Sequence, residues 1–460
     1  MGKEMLDMTK GSPMRNLLAF SIPVLVGNVL NQLYSITDSI IVGRVLGLDA
    51  LAAVGCTMPI VLLMAAVMIG VNVAVSILLS QAYGARDFDL MRRGFVNSLY
   101  MGLLIALLMA LVGTAFSAPI LRLMGTPDGP FDDALAYMRV CFITAVCPLF
   151  YYLLSCAYRG MGDSRTDLYF LIISVAANVF LDYLFVAVYG WGVAGSAWAT
   201  ALAQLFSVFC SAAVLFIKYP QMRFRWGDLR PDKTVFTKIT KLAIPIALQT
   251  AFNNLGNIVA QGVINKFDAA VMAAYTAAGR VGSFALMPLE TVGSSLSVYT
   301  GQNYGAGETK RIHEGLCAAL KLQVFMSSVL GAVMILFGRQ ISGLFLEEVS
   351  EEMLRVSYEY LLVAAVPGIL AGIMIVYQQV MRGIGETKKS TYSGFVQLGT
   401  KILVIIVGYL IVRKPIAVWA AWPVSFAAAA FVAVLLYRKH GLPVLQRVDK
   451  DRTEQLGRVE

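Results

Sequence analysis

Two carboxylates, Asp38 and Asp182, are the residues of this chain hardest to assign to packing alone. Asp38 is the one charged residue between Arg15 and Arg44, which enclose twenty-eight residues. That is enough for about 42 Å of helix at about 1.5 Å per residue, against a hydrocarbon core about 30 Å thick. Asn28, Asn31, Ser35 and Asp38 follow at steps of three and four, so they form a polar stripe on one helix face. A lone carboxylate on such a stripe is expensive in lipid, and its default reading is functional. Pro23 removes one backbone hydrogen bond in the first third of this stretch, which predicts a kink or hinge. In a later apolar stretch Asn178 and Asp182 lie four apart and share a face.

The rest of the chain explains why these residues sit where they do. Of its 460 residues 58% are hydrophobic and 14% charged, with mean hydropathy +0.71. Soluble domains carry about 25% charged residues, so an all-α integral membrane protein is expected. Twelve apolar spans are predicted: 15–44, 52–82, 94–117, 132–158, 166–189, 192–217, 239–266, 270–302, 312–337, 352–381, 388–412 and 415–437. The net charge of +9 does not point to nucleic acid, because Lys and Arg sit in the short gaps between spans. Lys3, Glu4, Asp7 and Lys10 precede a first span too long for a cleavable signal.

With a cytoplasmic N-terminus, the inner connections collect the bases, among them Arg86, Arg92, Arg93, Arg159, Arg165, Lys388 and Lys389. The outer ones hold few bases and several acids, such as Asp128, Asp132, Glu347, Glu348 and Glu351. The asymmetry places both termini in the cytoplasm. The six cysteines all fall in apolar spans and are expected as buried thiols, without metal spacing. The two histidines, His313 and His440, stand at cytoplasmic ends, so no imidazole relay crosses the membrane.

The sequence also repeats. Ile22-Pro23 recurs as Ile244-Pro245, and Gln81-Ala82-Tyr83-Gly84-Ala85 as Gln302-Asn303-Tyr304-Gly305-Ala306. Arg159-Gly160-Met161-Gly162-Asp163 recurs as Arg382-Gly383-Ile384-Gly385-Glu386, and Trp198 as Trp422, all at offsets of 221 to 224. Each half holds six spans, an even number, so the two repeats are parallel. The expected division is a cytoplasmic segment 1–14, an N-lobe 15–217, a basic cytoplasmic linker 218–238, a C-lobe 239–437 and a basic cytoplasmic tail 438–460.

The repeat is broken where the carboxylates stand. Asp38 aligns with Ala260, Asp182 with Ile405 and Asn178 with Lys401. Asp38, Asp182 and Thr200 also lie at one depth, about 9–12 Å from the outer ends of their spans at about 1.5 Å per residue. Two carboxylates, an amide and a hydroxyl at one level suit H⁺ or Na⁺, and such an acid pair titrates as a coupled unit. Glu290 is a second-half acid within a span, expected to touch cationic substrate or to pair with Lys401 or Arg280. Gly160-Met161-Gly162-Asp163 fits the pattern of intramembrane aspartyl proteases, but the Tyr-Asp partner motif of that chemistry is missing and Asp163 sits between Arg159 and Arg165. It reads as a loop signature, and no enzyme is expected.

From about Leu17 to Tyr437 the chain resembles the multidrug and toxic compound extrusion (MATE) family. The resemblance rests on the Pro23–Asp38 stretch, the two Gln-X-Tyr-Gly and two Arg-Gly-X-Gly motifs, and Asn178-Val179-Phe180-Leu181-Asp182. The set Asp38, Asn178, Asp182 and Thr200 is similar to the DinF-like prokaryotic branch. The resemblance implies a V-shaped, two-lobed antiporter of the bacterial inner membrane, exporting organic cations and other amphipathic compounds against H⁺ or Na⁺ by alternating access. It assigns the ion to Asp38, Asn178, Asp182 and Thr200 and the bend to Pro23, while the spacing of Asn28, Asn31 and Ser35 makes them a supporting stripe. Tyr34 and Glu290 are expected to touch substrate. A monomer without cofactor or structural metal is expected. The rival expectation is a flippase for lipid-linked saccharides or another lipid, disfavoured by the scarcity of deep cations beyond Arg280 and Lys401.

Overall fold

The computed structural model describes residues 6–345, 350–365 and 368–456. Lys3, Glu4, Glu347 and Glu348, named above, lie outside the described residues. The regular structure described is helical throughout. Helices α1 (Pro13–Leu46) and α2 (Leu48–Gly84) meet at Gly47, whose φ of 91° favours a residue without Cβ. The third span is α3 (Phe88–Leu108), a π-helical turn (Met109–Gly113) and α4 (Thr114–Leu123). The fourth is α5 (Asp128–Ile143) and α6 (Val146–Gly160), bent by 44°. Then come α7 (Ser164–Asp182), with a π-helical extension Tyr183–Val188, and α8 (Gly192–Lys218).

The second half repeats the order with α9 (Lys233–Ile264), α10 (Ala269–Gly305) and α11 (Thr309–Gly343). Its fourth span is α12 (Glu351–Ala365) and α13 (Gly368–Gly383). It ends with α14 (Thr387–Val412), the short α15 (Ile416–Trp419), α16 (Ala421–Leu436), and α17 (Leu442–Leu456) beyond a π-helical turn. Among the described residues eight helical stretches are long and apolar enough to cross a membrane, and ten if each bent pair is one span. The remaining two of the twelve, α9 and α10, are 32 and 37 residues long. Asn253, Asn254 and Asn257 in α9 and Arg280 and Glu290 in α10 dilute their apolar character.

The repeat is visible in the packing. α2 packs on α3, α5 and α6 as α10 packs on α11, α12 and α13, and α7 packs on α8 as α14 packs on α16. The chain forms two compact units, Met1–Asp7 with Ile22–Ala247, and Met8–Ser21 with Leu248–Glu460. Their borders fall inside α1 and α9, within three residues of Pro23 and Pro245. The start of α9 thus belongs to the first unit, where Gly70 of α2 lies so close that a Cβ there would stand 2.6 Å from Ala247 Cβ.

One further difference from expectation follows from packing. Cys317 is exposed and Cys56, Cys141 and Cys210 are half-buried, which leaves Cys147 and Cys156 as the buried thiols. An apolar span has a lipid-facing side, so membership of a span does not bury a side chain. The described part of the tail is helical. α17 docks on the start of α11, where Asp449 accepts a hydrogen bond from Thr309 and Arg452 donates to the Gly307 carbonyl at 3.0 Å and to Glu308 at 2.8 Å.

The basic connection is fixed to the first unit by Arg92, whose Nε donates to Asp228 at 2.8 Å and whose Nη1 donates to the Gln221 carbonyl. Burial pushes the Asp228 carboxyl up, but the Arg225 backbone N–H and the Arg92 guanidinium together hold it below its ordinary value. A carboxylate with a depressed folded pKa adds stability above its unfolded value of about 3.9, and that stability is lost as pH falls through the folded value. Asp228→Asn should therefore lower the unfolding midpoint of the solubilised protein by a few degrees at pH 7, for a loss of about 2 kcal/mol. The difference should begin to shrink below about pH 3.9 and close only once pH falls below the depressed folded value; equal midpoints at pH 7 would remove the role given to this pair.

Candidate cation-binding site

Three helices of the first unit build one polar cluster. α1 contributes Tyr34 and Asp38, one turn apart, α7 contributes Asn178 and Asp182, and α8 contributes Ser196 and Thr200. Each pair is spaced by four residues, so each helix presents one polar face a single turn long. Ser196 Oγ donates to Asp38 Oδ1 at 2.6 Å. Thr200 Oγ1 lies 2.8 Å from Tyr34 Oη and accepts from Asn178 Nδ2 at 3.2 Å. Asp38 and Asp182 interact electrostatically, with Ser196 and Asn178 beside them.

The cluster is short of donors. Asp182 is 1% exposed and Asn178 3% exposed. Neither carboxylate oxygen of Asp182 has a hydrogen-bond partner, and neither does Asn178 Oδ1. Three buried acceptor oxygens without donors are groups that a proton or an oxygen-ligated cation could satisfy, since an unpaired polar atom in a protein interior costs about 1–3 kcal/mol. The residues present fit that need: carboxylates, an amide oxygen and hydroxyls are the hard ligands such ions take. α7 turns π-helical directly after Asp182, an irregularity common at functional sites.

The cluster holds four predicted residues, Asp38, Asn178, Asp182 and Thr200, and also Tyr34, expected at the substrate. Ser196, absent from the sequence-derived set, stands one turn before Thr200 on α8, a spacing legible in the sequence. Tyr137 and Cys141 of α5, again four apart, are electrostatic neighbours of Asp38. The polar stripe reaches the cluster only in part: Asn31 and Ser35 are exposed and Asn28 is half-buried. Asp163 is no catalytic acid. It caps α7 through Thr166 and pairs with Lys218 at 2.7 Å and with Tyr219. Burial pushes its carboxyl up, and the Lys218, Thr166 and Tyr219 donors outweigh this and hold it below its ordinary value.

The equivalent place in the second unit carries opposite chemistry. Lys401, aligned with Asn178, is 5% exposed and donates to Asn257 Oδ1 at 2.8 Å. Its Nζ lies 3.8 Å from the centre of the Trp422 ring, a cation–π contact. Ala260 and Ile405, opposite numbers of Asp38 and Asp182, are 1% and 0% exposed. Glu290 therefore pairs with neither base named from sequence. Lys401 is held toward α16 by Trp422, Arg280 stands ten residues away on the same helix, and the charged neighbour of Glu290 is Arg382.

Against known proteins, the MatE family model matches residues 23–184 and again 245–410, each match starting at one of the two repeat prolines. The chain belongs to the MatE family. A probable multidrug resistance protein of Bacillus subtilis, YoeA, is 28% identical over 446 residues, covering 94% of each chain. A FAD transporter of Shewanella oneidensis is 26% identical over 337 residues, covering 72% of this chain and 74% of that one. A crystal structure of MATE in a bent conformation aligns with a TM-score of 0.90 at 22% identity, over 97% of this chain and all of that one. The MatE chain described here is thus a multi-pass membrane transporter with the twelve-helix fold of its family.

Thr200 joins α1 to α7 through its contacts with Tyr34 and Asn178. Thr200→Val keeps its shape and removes both hydrogen bonds, at about 1 kcal/mol each. Affinity for the ion should fall about tenfold or more, read as a shift in the pH or Na⁺ dependence of ligand binding by the purified protein, with folding unchanged. An unshifted dependence would detach Tyr34 and Asn178 from the site.

Proposed function

We propose that this transporter is a multidrug efflux antiporter, exporting organic cations and other amphipathic compounds in exchange for H⁺ or Na⁺ bound between α1, α7 and α8. The observation that carries the reading is the buried Asp182 carboxylate with both oxygens unpartnered beside Asp38. The basic inner connections support a plasma-membrane orientation with both termini in the cytoplasm. YoeA supports the drug class by its name.

In this reading the ion enters the cluster when the transporter is open outward and supplies the positive charge or proton that Asp38 and Asp182 lack. Tyr34 and Asp38 report occupancy to α1, and Pro23, whose ring removes one backbone hydrogen bond, is where α1 yields. Coupling follows if the ion binds one conformation more tightly than the other, because equal affinities shift no equilibrium. Drug on the inner side then finds the ion-free state, and ion on the outer side displaces the drug.

The test is uptake of a cationic rhodamine ester by everted vesicles, under an imposed pH gradient and separately a Na⁺ gradient. Asp38→Asn and Asp182→Asn at matched expression should each reduce gradient-driven uptake to the level of vesicles without the transporter. The gradient that drives the wild type names the ion. Uptake that survives both substitutions would move coupling out of this cluster, and a wild type that moves no cation under either gradient would favour lipid flipping.

A further inference from the structure

Four departures from the internal repeat converge on Arg382. In the first unit its counterpart Arg159 has a fixed partner, donating from Nε to Asp167 at 2.6 Å. At the same offset of 223 the second unit has Ser390 in place of Asp167. Arg382 Nε is buried there without a hydrogen-bond partner, while Nη2 donates to Gln249 Oε1 at 2.9 Å. Gln249 replaces Gly27, and the room for it comes from Gly394, which replaces Leu171. The exchange is reciprocal: a Cβ on Gly27 would meet Leu171 at 3.0 Å, and a Cβ on Gly394 would meet Gln249 at 2.1 Å. The fourth departure is Glu290, where the first half has apolar Met68 or Ile69.

The outcome is an acid on α10 and a base on α13, two helices packed on each other, that do not consume each other. Glu290 is exposed and Arg382 half-buried, and no hydrogen bond or ion pair joins them among the described residues. A guanidinium has five donors in a planar fork suited to carboxylate or phosphate. A spare Nε–H beside a fixed Gln249 amide offers an acceptor-seeking edge, and an exposed carboxylate offers the complementary charge.

We infer that Arg382, Gln249 and Glu290 form a substrate subsite for zwitterionic amphiphiles, in which Arg382 takes the ligand's carboxylate or phosphate and Glu290 its cationic group. The site lies wholly within the second unit and uses none of the cation-site residues. It rests on the reading that this transporter moves amphipathic organic compounds and adds the charge pattern it accepts.

The test uses tetramethylrhodamine, a zwitterion with a free carboxylate, and its methyl ester, a cation, bound to purified transporter in lipid nanodiscs and read by fluorescence polarisation. Wild type should bind the free acid at least as tightly as the ester. Arg382→Gln should weaken the acid at least tenfold and change the ester less than twofold, Arg382→Lys should recover part of the loss, and Glu290→Gln should weaken both dyes. Ser390→Asp recreates the fixed partner found at Asp167, so it should occupy Arg382 and also weaken the acid selectively. That variant keeps the proposal testable if Arg382→Gln fails to fold. Equal effects of these arginine-site variants on both dyes, no effect on either, or no binding of the acid by wild type would overturn the proposal. Failure of the antiport reading looks different: the ester would not be taken up under any gradient, whatever its binding.

Discussion

A polar group placed in hydrocarbon must find its partners inside the protein, and the interior of each unit is arranged around that demand. The first unit answers it with six polar side chains drawn from α1, α7 and α8, each helix giving two residues one turn apart. The answer is deliberately incomplete. Hydroxyl and amide donors serve Asp38 and Thr200, while both oxygens of Asp182 and the amide oxygen of Asn178 stay without protein donors. The second unit meets the same demand at the same place by supplying the positive charge itself, as Lys401 held by Asn257 and Trp422, with Ala260 and Ile405 closing the space. One fold therefore holds unpartnered acceptor oxygens in one half and a tethered ammonium in the other.

The internal repeat separates what the fold needs from what the task needs. The helix order, the contacts of α2 and α10 with their neighbours, and the loop motifs recur. The carboxylates, the buried lysine and the surroundings of Arg382 do not. Arg159 and Arg382 show this best, since the same residue in the same motif is neutralised locally by Asp167 in one half and left with a free donor in the other. Because the halves share their architecture, such a difference is not explained by the architecture.

Much of this was readable in advance, for a physical reason. Length and apolarity mark a membrane span without knowledge of its neighbours, so all twelve spans and the repeat were legible, and depth counting brought Asp38, Asp182 and Thr200 to one level. Ser196 was within reach of the same counting. What sequence could not supply depends on which helix faces which. The nearness of Glu290 to Arg382 requires α10 to pack on α13, and the need for Gly394 becomes visible only when Gln249 is seen filling the space above it. The borders of the compact units were hidden for the same reason, because the basic linker looks like a boundary and the interior of a helix does not.

Those borders have a consequence for how the two halves depend on each other. Residues 8–21 of the first half belong to the second unit, and residues 233–247 of the second half belong to the first. Neither half of the sequence supplies the whole of its own unit, so a six-helix half made alone would lack the opening segment of its bundle.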